Sequence, residues 1–425
     1  LPASFRWCDM SNLPFIEETQ LPGGPLVVTH AMPESQSVAL GIFVDVGSRD
    51  ESGHEAGIAH ALEHMLFKGT EALDVHALSE QLDLLGGNAN AFTSRERTCF
   101  HLQVLYEDWQ TAFGLLADML LQPALPEDEW QREREVIYAE MGMVEDMPDD
   151  WTFDQHLSAL FPGQTLGRPT LGTREALAAL TAADLRRYLE NNYRPPRLLI
   201  TAAGRIGHQA LVDAVAARDW PQAGTGKARE ASSMQGGVQW LPRSVEQAQV
   251  VASWPGIRAA SDERPLAWLA NQMLGGGMSS SLFREVRERR GLAYSVGSHL
   301  SSFSDGGMLT IGCGTHPASL SECLQVLRDT VHGFADAMDE RSLQRARRQL
   351  EVQFRMGMDS AEGHMLYLGG RLDEAVLISQ GEWIERMQGV QLEELRAWTR
   401  KVLAAVPLWS ICAPEKVLQS VKQEV

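Results

Sequence analysis

Cysteine is scarce in this chain. There are five in 425 residues, Cys8, Cys99, Cys313, Cys323 and Cys412, scattered and with no CxxC pair. A disulfide framework or a cysteine–zinc site is therefore not expected, and buried apolar thiols are. Long apolar runs are missing too. No stretch approaches the roughly 20 residues needed to cross a bilayer. Positive charge is in deficit: 37 Lys and Arg against 56 Asp and Glu leave a net charge of −19. Such a surface repels phosphate backbones and anionic lipid, which sets aside nucleic-acid and membrane partners and suits a basic peptide. The residues from Leu1 do not read as a secretory leader. A leader removed earlier fits them equally, so the compartment is left open between periplasm and cytoplasm.

What is present is ordinary for a globular chain, with 44% hydrophobic and 22% charged residues. The length calls for two domains or more. Residues 26–47 read as two β-branched runs around a "MPES" turn, a hairpin signal. Helical character follows at 55–68 and 74–85, the second stopped by Gly86-Gly87. "NANAFTSRERTCFHLQV" alternates polar and apolar residues as a strand pair does. Helical patterns return at 108–121, 126–144 and 183–193, and 197–204 reads as a buried strand. The aperiodic, Gly- and Ser-rich stretch at 219–237 reads as an exposed linker.

The second half repeats the order of the first: a strand, a helix stopped by Gly275-Gly276-Gly277, a helix leading into a strand hairpin, then helices at 317–338, 340–356 and 391–404. The expectation is a duplicated α+β unit, each an antiparallel-rich sheet covered by helices, with domains at 1–220 and 238–425 joined by 221–237.

The chemistry is concentrated in "GIAHALEHMLFKGT". His60 and His64 are four apart, about 40° around a helix, so their imidazoles can converge on one ion. Zinc suits nitrogen ligands at about 2.0–2.1 Å. Glu63 lies on nearly the same face, beside any water that zinc would acidify to a pKa of about 7, and can take its proton. Two histidines leave zinc a protein ligand short. Glu140, in the helical pattern "EWQREREVIYAEMGMVED", is the best candidate. Glu133 is seven residues before it and faces the same way. One carboxylate can bind the metal and the other can hold a histidine N–H. Two helical histidines alone can be core residues, and two acidic residues alone a solvated face. Together each supplies what the other lacks. The remaining histidines, His30, His54, His76, His101 and His156 among them, show no ligand spacing.

The stretch "SVALGIFVDVGSRDESGHEAGIAHALEHMLFKGT" resembles the signature of the inverted-zincin, or pitrilysin-type, peptidases. The likeness is greatest to the bacterial half-length branch, similar to the β subunit of the mitochondrial processing peptidase. "GGNANAFTSRERTCF", "EREVIYAEM", "LGRPTLGTREAL", "YRPPRLLITAAG" and "MLGGGMSSSLFREVRERRGLAYSV" match further landmarks. The resemblance implies that His60, His64 and Glu140 bind one zinc per chain, that Glu63 is the general base, and that Glu133 orients a ligand. It implies that Arg287 and Tyr294 hold the substrate carbonyl and steady the oxyanion. Asn90, Ala91 and Phe92 would pair with an extended peptide by strand addition. It further implies a clam-shell dimer, one partner giving the metal and the other the arginine and tyrosine. Because this chain carries both sets, a homodimer is expected, with a heterodimer containing a metal-less homologous subunit as the alternative. The activity implied is hydrolysis of short or unfolded peptides in a closed chamber. Processing of one peptide precursor and a non-catalytic structural role are the competing readings.

Overall fold

The computed structural model describes residues 16–224, 228–373 and 377–424. Cys8 and residues 225–227 of the expected linker lie outside them. The strands are β1 (Ile16–Gln20), β2 (Leu26–Ala31), β3 (Ser37–Val44), β4 (Asn88–Thr93), β5 (Thr98–Leu105), β6 (Leu198–Gly204), β7 (Gly237–Pro242), β8 (Ala248–Pro255), β9 (Ala293–Ser302), β10 (Gly307–Thr315) and β11 (Leu408–Ala413). The helices are α1 (Ile58–Leu66), α2 (Val75–Leu84), α3 (Trp109–Leu121), α4 (Glu127–Asp146), α5 (Pro148–Leu160), α6 (Arg174–Ala179), α7 (Ala182–Asn192), α8 (His208–Ala216), α9 (Arg264–Gly275), α10 (Leu320–Ala337), α11 (Glu340–Gly357), α12 (Ala361–Gly369), α13 (Gln380–Gly389), α14 (Leu392–Leu403) and α15 (Glu415–Glu424). None is long and apolar enough to cross a membrane.

The chain forms two α+β units. The first sheet runs β1-β2-β6-β3-β5-β4, and the second β7-β11-β8-β10-β9. In the first, β6 lies parallel to β2 and antiparallel to β3. In the second, β11 lies parallel to β7 and antiparallel to β8. In both, the last strand of the unit therefore enters between two earlier ones, β6 between β2 and β3 and β11 between β7 and β8, and a hairpin completes the far edge. This shared order supports the duplication read from the sequence. It also corrects one expectation. The two runs in 26–47 are strands, but β2 and β3 do not pair as a hairpin, because β6 separates them. The "MPES" turn signal could not reveal this. The insertion is long-range: β6 is buried along its whole length and can sit only inside the sheet.

The units are not continuous in sequence. One contains residues up to Ile137, Thr170–Arg229 and Arg355–Trp383, and the other Tyr138–Pro169, Glu230–Phe354 and Ile384 onward. This differs from the expected 1–220 and 238–425. The reason is the cover each sheet needs. In the first unit α12, from late in the chain, packs across β3 and β6. Gly41 permits this: a Cβ there would stand 2.5 Å from Met365 Sδ. In the second unit the cover is α5, from early in the chain, lying on β11 and β8. The stretch expected to be an exposed linker is pinned at Arg229, whose guanidinium donates to Asp45 and Asp50, each at 2.9 Å, and to the carbonyl of Glu96.

α5 brings His156 into the second core, where it is fully buried. Ser410 donates to Gln239 and so accepts from His156 Nδ1–H at 2.9 Å, while His156 Nε2 lies 2.8 Å from the Ser253 hydroxyl. Burial lowers the His156 pKa from 6.5 to about 4. The folded value is depressed, so the stability it contributes is whole above pH 6.5 and is lost as pH falls through 4. That amounts to about 3 kcal/mol. His156→Gln should flatten the loss of stability between pH 6.5 and 4, read by urea unfolding. Parallel parent and variant curves would contradict the assignment.

Candidate metal centre

α1 is short and its start is costly. Gly57 caps it at φ +96°, and a Cβ there would stand 2.6 Å from the Leu171 carbonyl, so glycine is required. The buried carboxylate of Glu51 accepts the N–H groups of Gly57 and Ala59, both at 2.9 Å. It thereby satisfies donors that the first helical turn leaves open. Ile58, Ala59, Ala61, Leu62, Met65 and Leu66 are buried. The opposite stripe leaves His60, Glu63 and His64 half-buried on one face.

α4 meets that face. Glu133 is buried, with one oxygen 2.8 Å from His64 Nδ1 and the other 2.5 Å from Lys68 Nζ. Burial pushes its carboxyl pKa up, but the His64 and Lys68 hydrogen bonds and the Lys68 charge outweigh this and hold it below the usual value. A carboxylate in that position accepts a hydrogen bond from His64 Nδ1–H and so leaves Nε2 as an acceptor. That Nε2 lies 3.2 Å from His60 Nε2. Two nitrogens of one tetrahedral zinc stand about 3.3 Å apart, given zinc–nitrogen bonds of about 2.05 Å. Burial lowers the His60 pKa to about 4, with the neighbouring His64 acting in the same direction, so its ring is neutral and ready to ligate.

Glu140 is two turns beyond Glu133 on the same continuous helix. The ligand atoms of His60, His64 and Glu140 lie within 4.8 Å of one another. Two imidazoles and a carboxylate are a zinc-type donor set that keeps a coordination position open. The residues thus fit the metal. Glu63 is alongside. The Thr93 hydroxyl donates to its Oε2 at 2.5 Å.

Thr93 ends β4, which pairs with β5 alone among the described strands and forms the edge of its sheet. Along β4, Asn88, Asn90 and Phe92 are exposed, while Ala89, Ala91 and Thr93 are half-buried. Arg287 and Tyr294 also come together, in the second unit. Arg287 lies in a π-helical turn, Phe283–Glu288, with its guanidinium carbon 4.7 Å from the Tyr294 ring centre and 4.8 Å from that of Phe283. The Tyr294 side chain is 80% exposed.

Sequence reasoning missed Glu51, Lys68 and Thr93. Lys68 stands four residues after His64, a spacing that could have signalled a shared partner. Thr93 directly follows the strand residues that were singled out. Glu51 had no local signal, because its role depends on where the chain turns back onto α1.

Residues 26–174 match the family described as Insulinase (Peptidase family M16), and residues 179–350 match its Peptidase M16 inactive domain. The chain is 35% identical over 421 residues to a protein of Streptomyces coelicolor named an uncharacterized zinc protease, covering 95% of this chain and 91% of that one. It is 34% identical over 381 residues to a Bacillus subtilis protein of the same description, covering 86% and 92%. Among solved structures, a peptidase M16 inactive domain from Pseudomonas fluorescens superposes with TM-score 0.87 at 19% identity, over 94% of this chain and 98% of that one. A protease from Helicobacter pylori gives 0.85 at 18%, over 94% and 99%. At such identities the two structures speak for the fold.

The Glu133 clasp generates a prediction that needs no substrate. Glu133→Gln should weaken zinc binding by about 10–100-fold, measured by competition with a chromophoric chelator. Unchanged affinity would mean that His64 is oriented by something else.

Proposed function

This chain is a member of peptidase family M16, and we propose that it is a zinc-dependent endopeptidase acting on short or unfolded peptides. The observation that carries the reading is the convergence of His60, His64 and Glu140 with Glu63 beside them. When bound, zinc supplies the Lewis acidity that activates water and polarises a carbonyl.

The chain's own residues do the rest. His60, His64 and Glu140 hold one ion per chain, and Glu133 keeps His64 in the ligating tautomer. Glu63 is the general base: it takes a proton from the attacking water and returns it to the leaving amine. Thr93 holds one Glu63 oxygen. A peptide adds to β4 through the backbone of Asn90, Ala91 and Phe92, which requires it to be extended and therefore unfolded. Tyr294 donates its phenol to the developing oxyanion, and Arg287, stacked on that ring, limits its motion and holds the substrate carbonyl. One chain carries both the metal set and the Arg287–Tyr294 pair, which favours the homodimer over a division of labour between different subunits.

Glu63→Gln should retain zinc and lower turnover of a quenched unstructured peptide by about 10²–10⁴-fold. Full activity would remove Glu63 from the mechanism. Zinc-loaded parent protein with no turnover on any peptide would instead favour a second, different subunit. Tyr294→Phe should cost about 10²-fold in kcat with little change in KM, since its bond strengthens as charge develops. A loss confined to KM would make Tyr294 a binding residue only.

A further inference from the structure

The second unit contains a polar cavity of about 150 Å³ that the peptidase reading does not use. It lies among the end of α9, the loop after it, the π-helical turn, and the junction of α10 with α11. Arg284, Arg341 and Arg345 line it, together with Ser279, Ser281 and Gln349. Arg284 and Arg341 are exposed at the rim, and Arg345 is half-buried.

The charge here runs against the rest of the molecule. Acidic residues outnumber basic ones by 56 to 37, yet none of the three guanidinium groups forms an ion pair among the described residues. Other arginines nearby do pair: Arg289 and Arg290 with Glu285, Arg347 with Glu340, and Arg348 with Glu351. Arg341 and Arg345 are four apart on α11, a like-charge spacing that opposes the helix unless an anion sits between them. The one acidic side chain in the lining, Asp339, accepts the Ser342 N–H at 2.7 Å and caps α11, and with those Ser342 bonds the Arg345 and Arg341 charges hold its carboxyl below the usual value. Three guanidiniums against one carboxylate leave an excess of two positive charges.

We infer that this cavity is a binding site for a single phosphate group. The class follows from charge. The cavity has many times the volume that one water needs and admits a tetrahedral oxyanion. Guanidinium forks match phosphate oxygens two at a time, and serine hydroxyls complete the shell. A bound anion would join the loop, the π-helical turn and α11, and would stabilise the folded unit in proportion to its occupancy.

The test is titration of the purified full chain with inorganic phosphate at constant ionic strength, read by calorimetry and by the shift in Tm. Arg341→Ala and Arg345→Ala should each weaken phosphate by about tenfold or more, and the double variant should lose the Tm shift. Both variants, unfolded in phosphate-free buffer, should melt at or above the parent temperature, since a repulsion has been removed. Phosphoserine is the second probe. Equal binding extends the site to monoesters, rejection restricts it to the free ion, and either result with the arginine dependence supports the site. No saturable binding overturns the inference. Binding that persists in the double variant does so as well, because the ion would then be held elsewhere, as at the metal centre.

Discussion

Glu133 is the constraint on which the candidate site rests. It is a buried carboxylate, and a buried charge persists only when its hydrogen-bonding capacity is met. His64 and Lys68 meet it, one on each oxygen. Both partners come from α1 and the turn after it, so the pair of bonds fixes α1 against α4. The same bonds decide the His64 tautomer and turn its Nε2 toward His60. Because α4 is continuous, placing Glu133 also places Glu140 two turns on. One ion-paired contact thus sets the positions of three residues that could hold a metal ion.

The supporting shell follows the same economy. Glu51 satisfies the start of α1 from a buried loop, and Thr93 satisfies Glu63 from the sheet edge. Glu63 is therefore tied to the edge strand β4. His60 and His64 belong to the first unit, and the stacked Arg287–Tyr294 pair and the arginine-lined cavity belong to the second.

Much of this was legible from local pattern. Helices with plain helical patterns, such as 126–144 and 340–356, lie within a residue or two of their expected bounds. The strand pair at 88–105 was equally plain. The quieter elements were not: α5 and α12 carry weak periodicity, since each lies against a sheet of the opposite half of the sequence. The order of the strands was hidden for a related reason. A turn signal between β2 and β3 says that the chain reverses there, and says nothing of a strand 150 or more residues away that enters the gap.

The sequence by itself determined the face of α1, because a spacing of four on a helix aligns two imidazoles whatever surrounds them, and a spacing of seven aligns Glu133 with Glu140. It could not tell which of those carboxylates meets the histidine ring and which meets the ligand position, since both satisfy the same periodicity. Only the tertiary structure decided that, by setting the height of α4 against α1 and by bringing in Lys68, Thr93 and Glu51. Contacts within an element are written in residue spacing. Contacts between elements depend on how close their buried faces can pack, and that is settled when the whole chain folds.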